Sequence, residues 1–169
     1  MAQQLQYYKV SRVWFDIGDM RDPHVPDNPQ FHHAIFVQTH ATGHGDIYNA
    51  TGDVTSSGGM RYEKKFRDPV VWSSTYHHDQ DLGYVAASSY RQLEAVLQSC
   101  QTPPQQKAFN IERRATEPFK TVNPVTFYTA DELRSFQFPR LKKCKWWVEE
   151  QAIPALQASR FLVQQPPEN

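Results

Sequence analysis

The sequence predicts a single α+β domain in which an antiparallel sheet from the N-terminal half packs against helices from the C-terminal half. The chain has 169 residues, the usual size of one domain. Short apolar and aromatic runs separated by turn residues fill its first half, and helical spacing of apolar residues dominates the second. Strands that precede helices, instead of alternating with them, are typical of α+β proteins. We expect residues 1–163 to form the domain and residues 164–169 to be a frayed tail.

Five segments in the first half have the composition of strands. They are residues 7–17, 31–39, 46–51, 60–66 and 82–87. The second of them, FHHAIFVQT, is apolar on both faces, which is typical of a central strand. The glycine- and serine-rich residues 52–59 favour a turn between two neighbouring strands and hence an antiparallel meander. The proline-rich residues 19–29 are predicted to form an irregular loop.

Two capping-box patterns mark the starts of helices, because an N-cap side chain and a Glu or Gln three residues later satisfy the first free amides. The two pairs are Ser89 with Gln92 and Thr129 with Glu132. Prolines after each pattern limit both helices.

A third helix is predicted to begin near Arg140 and to be kinked at Pro154. Its apolar stripe consists of Leu141, Cys144, Val148 and Ala152. The polar residues 105–124, between the first two helices, are expected to be a surface loop.

Composition and motifs count against several classes of function. The 18 Lys and Arg residues balance 18 Asp and Glu residues, so no bulk positive field attracts nucleic acid. No apolar run is long enough to span a membrane, and no glycine-rich phosphate-binding motif indicates a nucleotide. Two cysteines and no secretion signal favour a cytoplasmic protein with reduced thiols. We expect no cofactor, and a small molecule or a peptide as the substrate; the sequence does not indicate an oligomeric state.

Cys144 is the candidate nucleophile. It lies in the segment RLKKCKWW, among four cations and near the predicted start of a helix. Cations and helix N-termini both stabilise the thiolate, which is the reactive form of cysteine. The alternative is a packing role, in which Cys144 is a small apolar member of the helical stripe and the lysines are solvated. Spacing alone does not decide between these two roles.

A base for this cysteine is available on the predicted central strand. His32 and His33 lie on opposite faces of that strand, so only one of them can face Cys144. Asn49, on the next strand, is placed to accept a hydrogen bond from the imidazole and so to orient it. Asp46 and Asp53 are alternatives for this orienting role.

Two other classes of site have candidate residues. Basic residues beside two tryptophans form a possible binding patch, and a catalytically silent binding or scaffold protein is the alternative to an enzyme. The expected binding residues are His33, Lys143, Trp146 and Trp147. The segment HHDQD at residues 77–81 contains metal-binding side chains, but adjacent residues on an extended chain point apart. We therefore expect a solvated loop there and no metal site.

The motifs HHAIFV, GDIYNATG and KKCKWWVEE together resemble the permuted NlpC-type papain-like superfamily, in the branch that contains lecithin-retinol acyltransferase. In that branch a strand histidine is the base, a polar residue follows on the adjacent strand, and a cysteine that opens a late helix is the nucleophile. The resemblance implies these roles for His32, Asn49 and Cys144. The acyltransferases usually have histidine at the position of Asn49 and tryptophan at that of His33.

The resemblance also implies a permuted papain-like fold and a chemistry. A cysteine of this kind attacks an amide, ester or thioester carbonyl, and hydrolysis or acyl transfer follows. Because no long apolar C-terminal helix is present to anchor the chain, a soluble substrate is favoured over a phospholipid.

Overall fold

A computed structural model describes residues 5–166 and shows a mixed α+β fold. The strands are β1 Tyr7–Asp16, β2 Phe31–Gln38, β3 Gly45–Thr51, β4 Arg61–Arg67, β5 Tyr76–Ala86, β6 Lys107–Asn110, β7 Ala115–Val122, β8 Val125–Phe127 and β9 Leu162–Val163. A six-stranded antiparallel sheet has the order β4-β3-β2-β1-β5-β9, and a small second sheet has the order β6-β7-β8. The predicted α+β class is confirmed.

Three helical regions accompany the sheets. Helix α1 spans Tyr90–Ser99 and α2 spans Ala130–Arg134. The C-terminal helix is continuous but has three parts, which are α3 at Cys144–Trp146, a π-helical stretch at Trp147–Ala152, and α4 at Ile153–Ala158. Short 3₁₀ turns lie at Val70–Trp72 and Ala87–Ser89.

The central position predicted for residues 31–39 is confirmed, because β2 pairs with β1 on one side and with β3 on the other. Its two faces belong to two separate apolar clusters. Ile35 and Val37 contribute to the main core beneath α1 and the C-terminal helix. Ala34 and Phe36 contribute to a smaller cluster on the opposite face. This double burial explains why the segment has no polar alternation.

The prediction of a loop at residues 105–124 is wrong, because the whole of β6 and β7 lies there. The small sheet buries few side chains, so its strands lack the apolar pattern from which a strand is normally predicted. The loop predicted at residues 77–81 is also wrong. Those residues belong to β5, whose exposed first half is held by backbone pairing with β1.

A β-bulge in this first half of β5 places two histidines together. Trp14 pairs with His78 while Phe15 pairs with Tyr76, so His77 is the additional residue. The Nδ1 atoms of His77 and His78 are 2.8 Å apart, and the expectation that adjacent residues point apart is wrong here. Across residues 5–166, no group of three or more His, Cys, Asp or Glu side chains is arranged to hold a metal ion.

The two capping-box predictions have different outcomes. At α2 both bonds are present, from the Glu132 amide to the Thr129 side chain and from the Thr129 amide to the Glu132 side chain. At α1 the Ser89 side chain makes no capping bond. Ser89 ends a 3₁₀ turn with a φ of −101° and a ψ of 3°, and this is not the extended conformation that a capping side chain requires.

The C-terminal helix begins at Cys144 and not near Arg140, so that residues 139–143 form an irregular approach to it. The π-helical stretch, whose turns are wider than those of an α-helix, immediately precedes the part of the helix that contains Pro154. Wider turns accommodate a ring that would otherwise collide with the carbonyl four residues earlier.

Residues 164–166 follow β9 without regular secondary structure, and residues 167–169 of the expected tail lie outside the described residues. No helix within residues 5–166 has the length and apolar character needed to cross a membrane.

Candidate functional site

The candidate site lies where the main sheet divides. Strands β2 and β3 pair only over Ile35–Gln38 and Gly45–Tyr48. Beyond that point the first half of β2 pairs with β1 alone, and the last residues of β3 pair with β4 alone. The close pairing at the other end depends on Gly45, since a Cβ atom there would lie 2.0 Å from the Val37 carbonyl oxygen. The first residue of the C-terminal helix contacts the edge of β2 that this division leaves unpaired.

Cys144 contacts this unpaired edge directly. Its Sγ atom lies 3.9 Å from the Phe31 carbonyl oxygen, to which the thiol donates. The His33 backbone N–H and the His32 imidazole lie close enough to the sulfur to lower the pKa of the Cys144 thiol. The cysteine, a half-buried residue, therefore has both a backbone donor and an imidazole at its sulfur atom.

Asn49 completes the constellation. The residue is buried, and its side chain lies close enough to the His32 imidazole to raise the pKa of that ring. In the antiparallel register of β2 and β3, Asn49 is one step beyond the last pair, Ile35 with Tyr48. The structure thus brings together Cys144, His32 and Asn49, whereas the Asp46 carboxylate binds Tyr90 and Lys64 instead.

The two reactive groups stabilise each other's charged forms. Burial acts to raise the pKa of Cys144, but His32, the His33 N–H and the Lys143 cation together lower it. Burial likewise acts to lower the pKa of His32, but its interactions with Cys144 and Asn49 raise it. These opposite directions favour a thiolate–imidazolium pair.

His33 cannot replace His32 as the base. The side chain is only 3% exposed, and burial together with the Arg12 cation lowers its pKa to about 3. Its Nδ1 atom accepts a hydrogen bond of 2.8 Å from Arg12, which also binds Glu149 of the C-terminal helix at 2.6 Å. His33 is therefore neutral, and its direct contribution at the sulfur is its backbone N–H.

Cys144 and His32 line an open cleft with a volume of about 780 Å³. Its walls come from the loop between β1 and β2, from the turn after β3, and from residues 140–150. Its lining includes apolar side chains and charged side chains of both signs, among them Trp14, Met20, Met60, Lys142 and Glu150. A cleft of this size accommodates a small molecule or a short peptide segment.

The expected binding residues divide into two groups. His33, Lys143 and Trp146 line the cleft. Trp147 is fully buried in the main core and packs near Tyr62, so it does not join Trp146 at the cleft. The helical turn that places Trp146 at the cleft rotates Trp147 inward.

Sequence reasoning did not identify Arg12 or Asp22 as part of this site. Arg12 is a buried cation in the largely apolar strand run VSRVWF. Because a buried charge requires a partner, an arginine in such a run indicates that a polar site lies next to the strand. Asp22 lies in a polar, proline-rich loop, where an aspartate is ordinary. No feature of the sequence distinguishes it from the exposed Asp19 nearby.

Cys144, at the start of the C-terminal helix, and His32, on β2, therefore both face the open cleft of this α+β fold. The chain belongs to the Family of unknown function (DUF6540), whose family model matches residues 22–163. The match includes Cys144, His32 and Asn49. No curated protein matches the sequence. No solved structure matches it either.

Proposed function

We propose that this protein is a cysteine-dependent hydrolase or acyltransferase of the permuted papain-like type, acting on an amide, ester or thioester of a soluble substrate. The observation that carries the proposal is the juxtaposition of Cys144, His32 and Asn49, which shift one another's pKa values, with the first two members open to the cleft. A packing role for Cys144 does not require an imidazole beside its sulfur.

The proposed chemistry follows from the positions of these groups. The Cys144 thiolate attacks the carbonyl carbon of the substrate, and the His32 imidazolium gives its proton to the leaving group. His32 then takes a proton from water or from an acceptor molecule, which attacks the acyl-enzyme and releases the thiolate. Asn49 holds the imidazole in the orientation that both proton transfers need.

The helix start contributes to the proposed transition state. The backbone N–H groups of the first turn have no side-chain cap, and the positive end of the helix lies at Cys144. These groups are placed to bind the negative charge that develops on the carbonyl oxygen.

The proposal is tested by the pH dependence of Cys144 alkylation, with iodoacetamide as the probe and mass spectrometry as the readout. Cys100 is the internal control, because burial raises the pKa of its thiol and no base is bonded to it. We expect Cys144 to react faster than Cys100, with a midpoint below the ordinary thiol value of about 8.5. The variant H32A should remove this advantage and N49A should reduce it, whereas H40A, which changes an exposed histidine, should not.

The same variants are then compared on p-nitrophenyl and thioester acyl probes. An initial burst of product with one acyl group on Cys144, absent in C144A, is the expected result. If folded wild-type Cys144 reacts no faster than Cys100, the enzymatic proposal is overturned and the silent binding or scaffold protein becomes the better description.

A further inference from the structure

The loop between β1 and β2, here called the strap and comprising residues 17–30, forms one wall of the cleft. The strap is closed on itself by Gln30. The side-chain oxygen of Gln30 accepts the Asp22 N–H at 3.0 Å, and its amide nitrogen donates to the carbonyls of Asp22 and Val25 at 2.9 and 3.1 Å. This internal bonding holds Asp22 at a defined place beside the cleft.

The carboxylate of Asp22 joins three separate parts of the chain. It is 8% exposed, and its Oδ1 atom accepts bonds from Lys107 of β6 at 3.0 Å and from the His24 N–H at 2.9 Å. Its Oδ2 atom accepts a bond of 2.9 Å from Lys143, the residue before the nucleophile. A nearly buried carboxylate with two lysine partners is a strong link, because the loss of one partner leaves a buried charge unpaired.

Other contacts fix the neighbours of Lys143. Asp27, also in the strap, binds Arg140 at 2.8 Å and Lys145 at 3.0 Å. The side-chain amide of Gln106 pairs with the backbone N–H and carbonyl of Lys142, each at 2.7 Å. The residues on both sides of Cys144 are therefore held from outside the helix, and the thiol itself makes none of these bonds.

From this arrangement we infer that Asp22 is a positioning residue, which holds the approach to the C-terminal helix so that the Cys144 sulfur meets His32. The inference rests on the proposed function, since it assigns a role within the same site. It also explains why the helix begins at Cys144. Residues that would otherwise extend the helix toward Arg140 are committed to bonds with the strap and with Gln106.

The substitution D22N tests this inference, because it keeps the shape of the side chain and removes its charge. The charged groups that face the thiol are His32 from β2 and Lys143 from its own segment. If Asp22 acts only as a nearby negative charge, its removal stabilises the thiolate and moves the alkylation midpoint of Cys144 to lower pH. If Asp22 positions the nucleophile, its substitution moves Lys143 and the sulfur away from their present positions. The thiolate is then stabilised less by His32 and Lys143, and the alkylation midpoint moves to higher pH.

We expect the midpoint to rise by about half a pH unit or more, which corresponds to roughly a threefold slower reaction at a pH below it. The control is D19N, which removes an exposed carboxylate from the same strap and should leave the midpoint unchanged. Circular dichroism confirms that each variant is folded before alkylation. Should D22N fail to fold, D27N tests the same role through Lys145, with the same expected direction.

The alkylation experiment distinguishes a failure of the positioning role from a failure of the proposed function. A low wild-type midpoint that D22N leaves unchanged or lowers overturns the positioning role and leaves the proposed function standing. A wild-type Cys144 that is as slow as Cys100 overturns the proposed function itself, and with it any role for Asp22 in catalysis.

Discussion

At the scale of single residues, the site depends on partly exposed charges that are held in ion pairs. Lys143 is bound to Asp22, and Lys145 is bound to Asp27, so both lysines beside Cys144 have partners within the chain. Their positive charge still acts at the sulfur through Lys143. The two lysines therefore hold the local structure, and both also line the cleft where the sequence predicts a binding patch.

Asp22 should also make stability depend on pH in acid. Burial acts to raise the pKa of its carboxyl, but Lys143, the His24 N–H and Lys107 lower it to about 2. A depressed pKa stabilises the folded state fully above the unfolded value near 3.9, and the stabilisation disappears as the pH falls through about 2. The difference corresponds to about 2 kcal/mol at neutral pH.

Urea unfolding of the wild type and of D22N between pH 6 and pH 2 measures this contribution. The wild type should be more stable at pH 6, and the gap between the two proteins should shrink by about 2 kcal/mol as the pH approaches 2. D19N should follow the wild type throughout. A gap that stays constant with pH would show that the Asp22 carboxylate has an ordinary pKa.

At the scale of elements, local patterns predict helix starts only where the preceding backbone permits the cap. Thr129 has a φ of −67° and a ψ of 160°, and its side chain accepts the Glu132 N–H. Ser89 follows Ala87 and Ser88 in a 3₁₀ turn, and its hydroxyl makes no capping bond. The same sequence pattern therefore has different energetic consequences at the two helices.

The substitutions T129A and S89A form a matched pair for this difference. T129A removes a capping bond and should lower the free energy of unfolding by about 0.5–2 kcal/mol. S89A removes no bond and should change it by less than about 0.5 kcal/mol. Urea unfolding curves compare them, and equal losses at both positions would contradict the structural assignment of the caps.

At the scale of the whole molecule, the small sheet and the main sheet are linked by buried and backbone contacts. Lys107 of β6 binds Asp22, and both side chains are nearly inaccessible. The backbone N–H groups of Gln106 and Lys107 donate to the Val54 carbonyl, and the Met60 N–H donates to Pro103. Because these contacts connect the two sheets, we expect them to unfold in one transition.

Hydrogen exchange followed by mass spectrometry tests this linkage. K107M breaks the buried pair, and residues 107–122 should then exchange by a local opening that is about 2–4 kcal/mol easier than in the wild type. K120M is the control, because Lys120 lies in β7 of the same small sheet and forms an exposed ion pair with Glu132 of α2. Its removal should change the free energy of local opening by less than about 1 kcal/mol. Equal effects of the two substitutions would show that Lys107 does not join the sheets.

The sequence by itself determined the α+β class, the central strand and the identity of the three candidate catalytic residues. Apolar runs and their order along the chain establish the first two, because burial imposes them on local composition. The resemblance to papain-like proteins pointed to His32, Asn49 and Cys144, which lie as much as 112 residues apart in the printed sequence.

Only the tertiary structure decided how these residues meet. Which histidine reaches the sulfur depends on the point at which β2 and β3 separate, and the start of the last helix depends on ion pairs with the strap. The strands of the small sheet, the bulge at His77 and the burial of Trp147 are likewise set by distant partners. Local sequence patterns do not predict such partners, because strand pairing and ion pairing both join residues that are far apart in the chain.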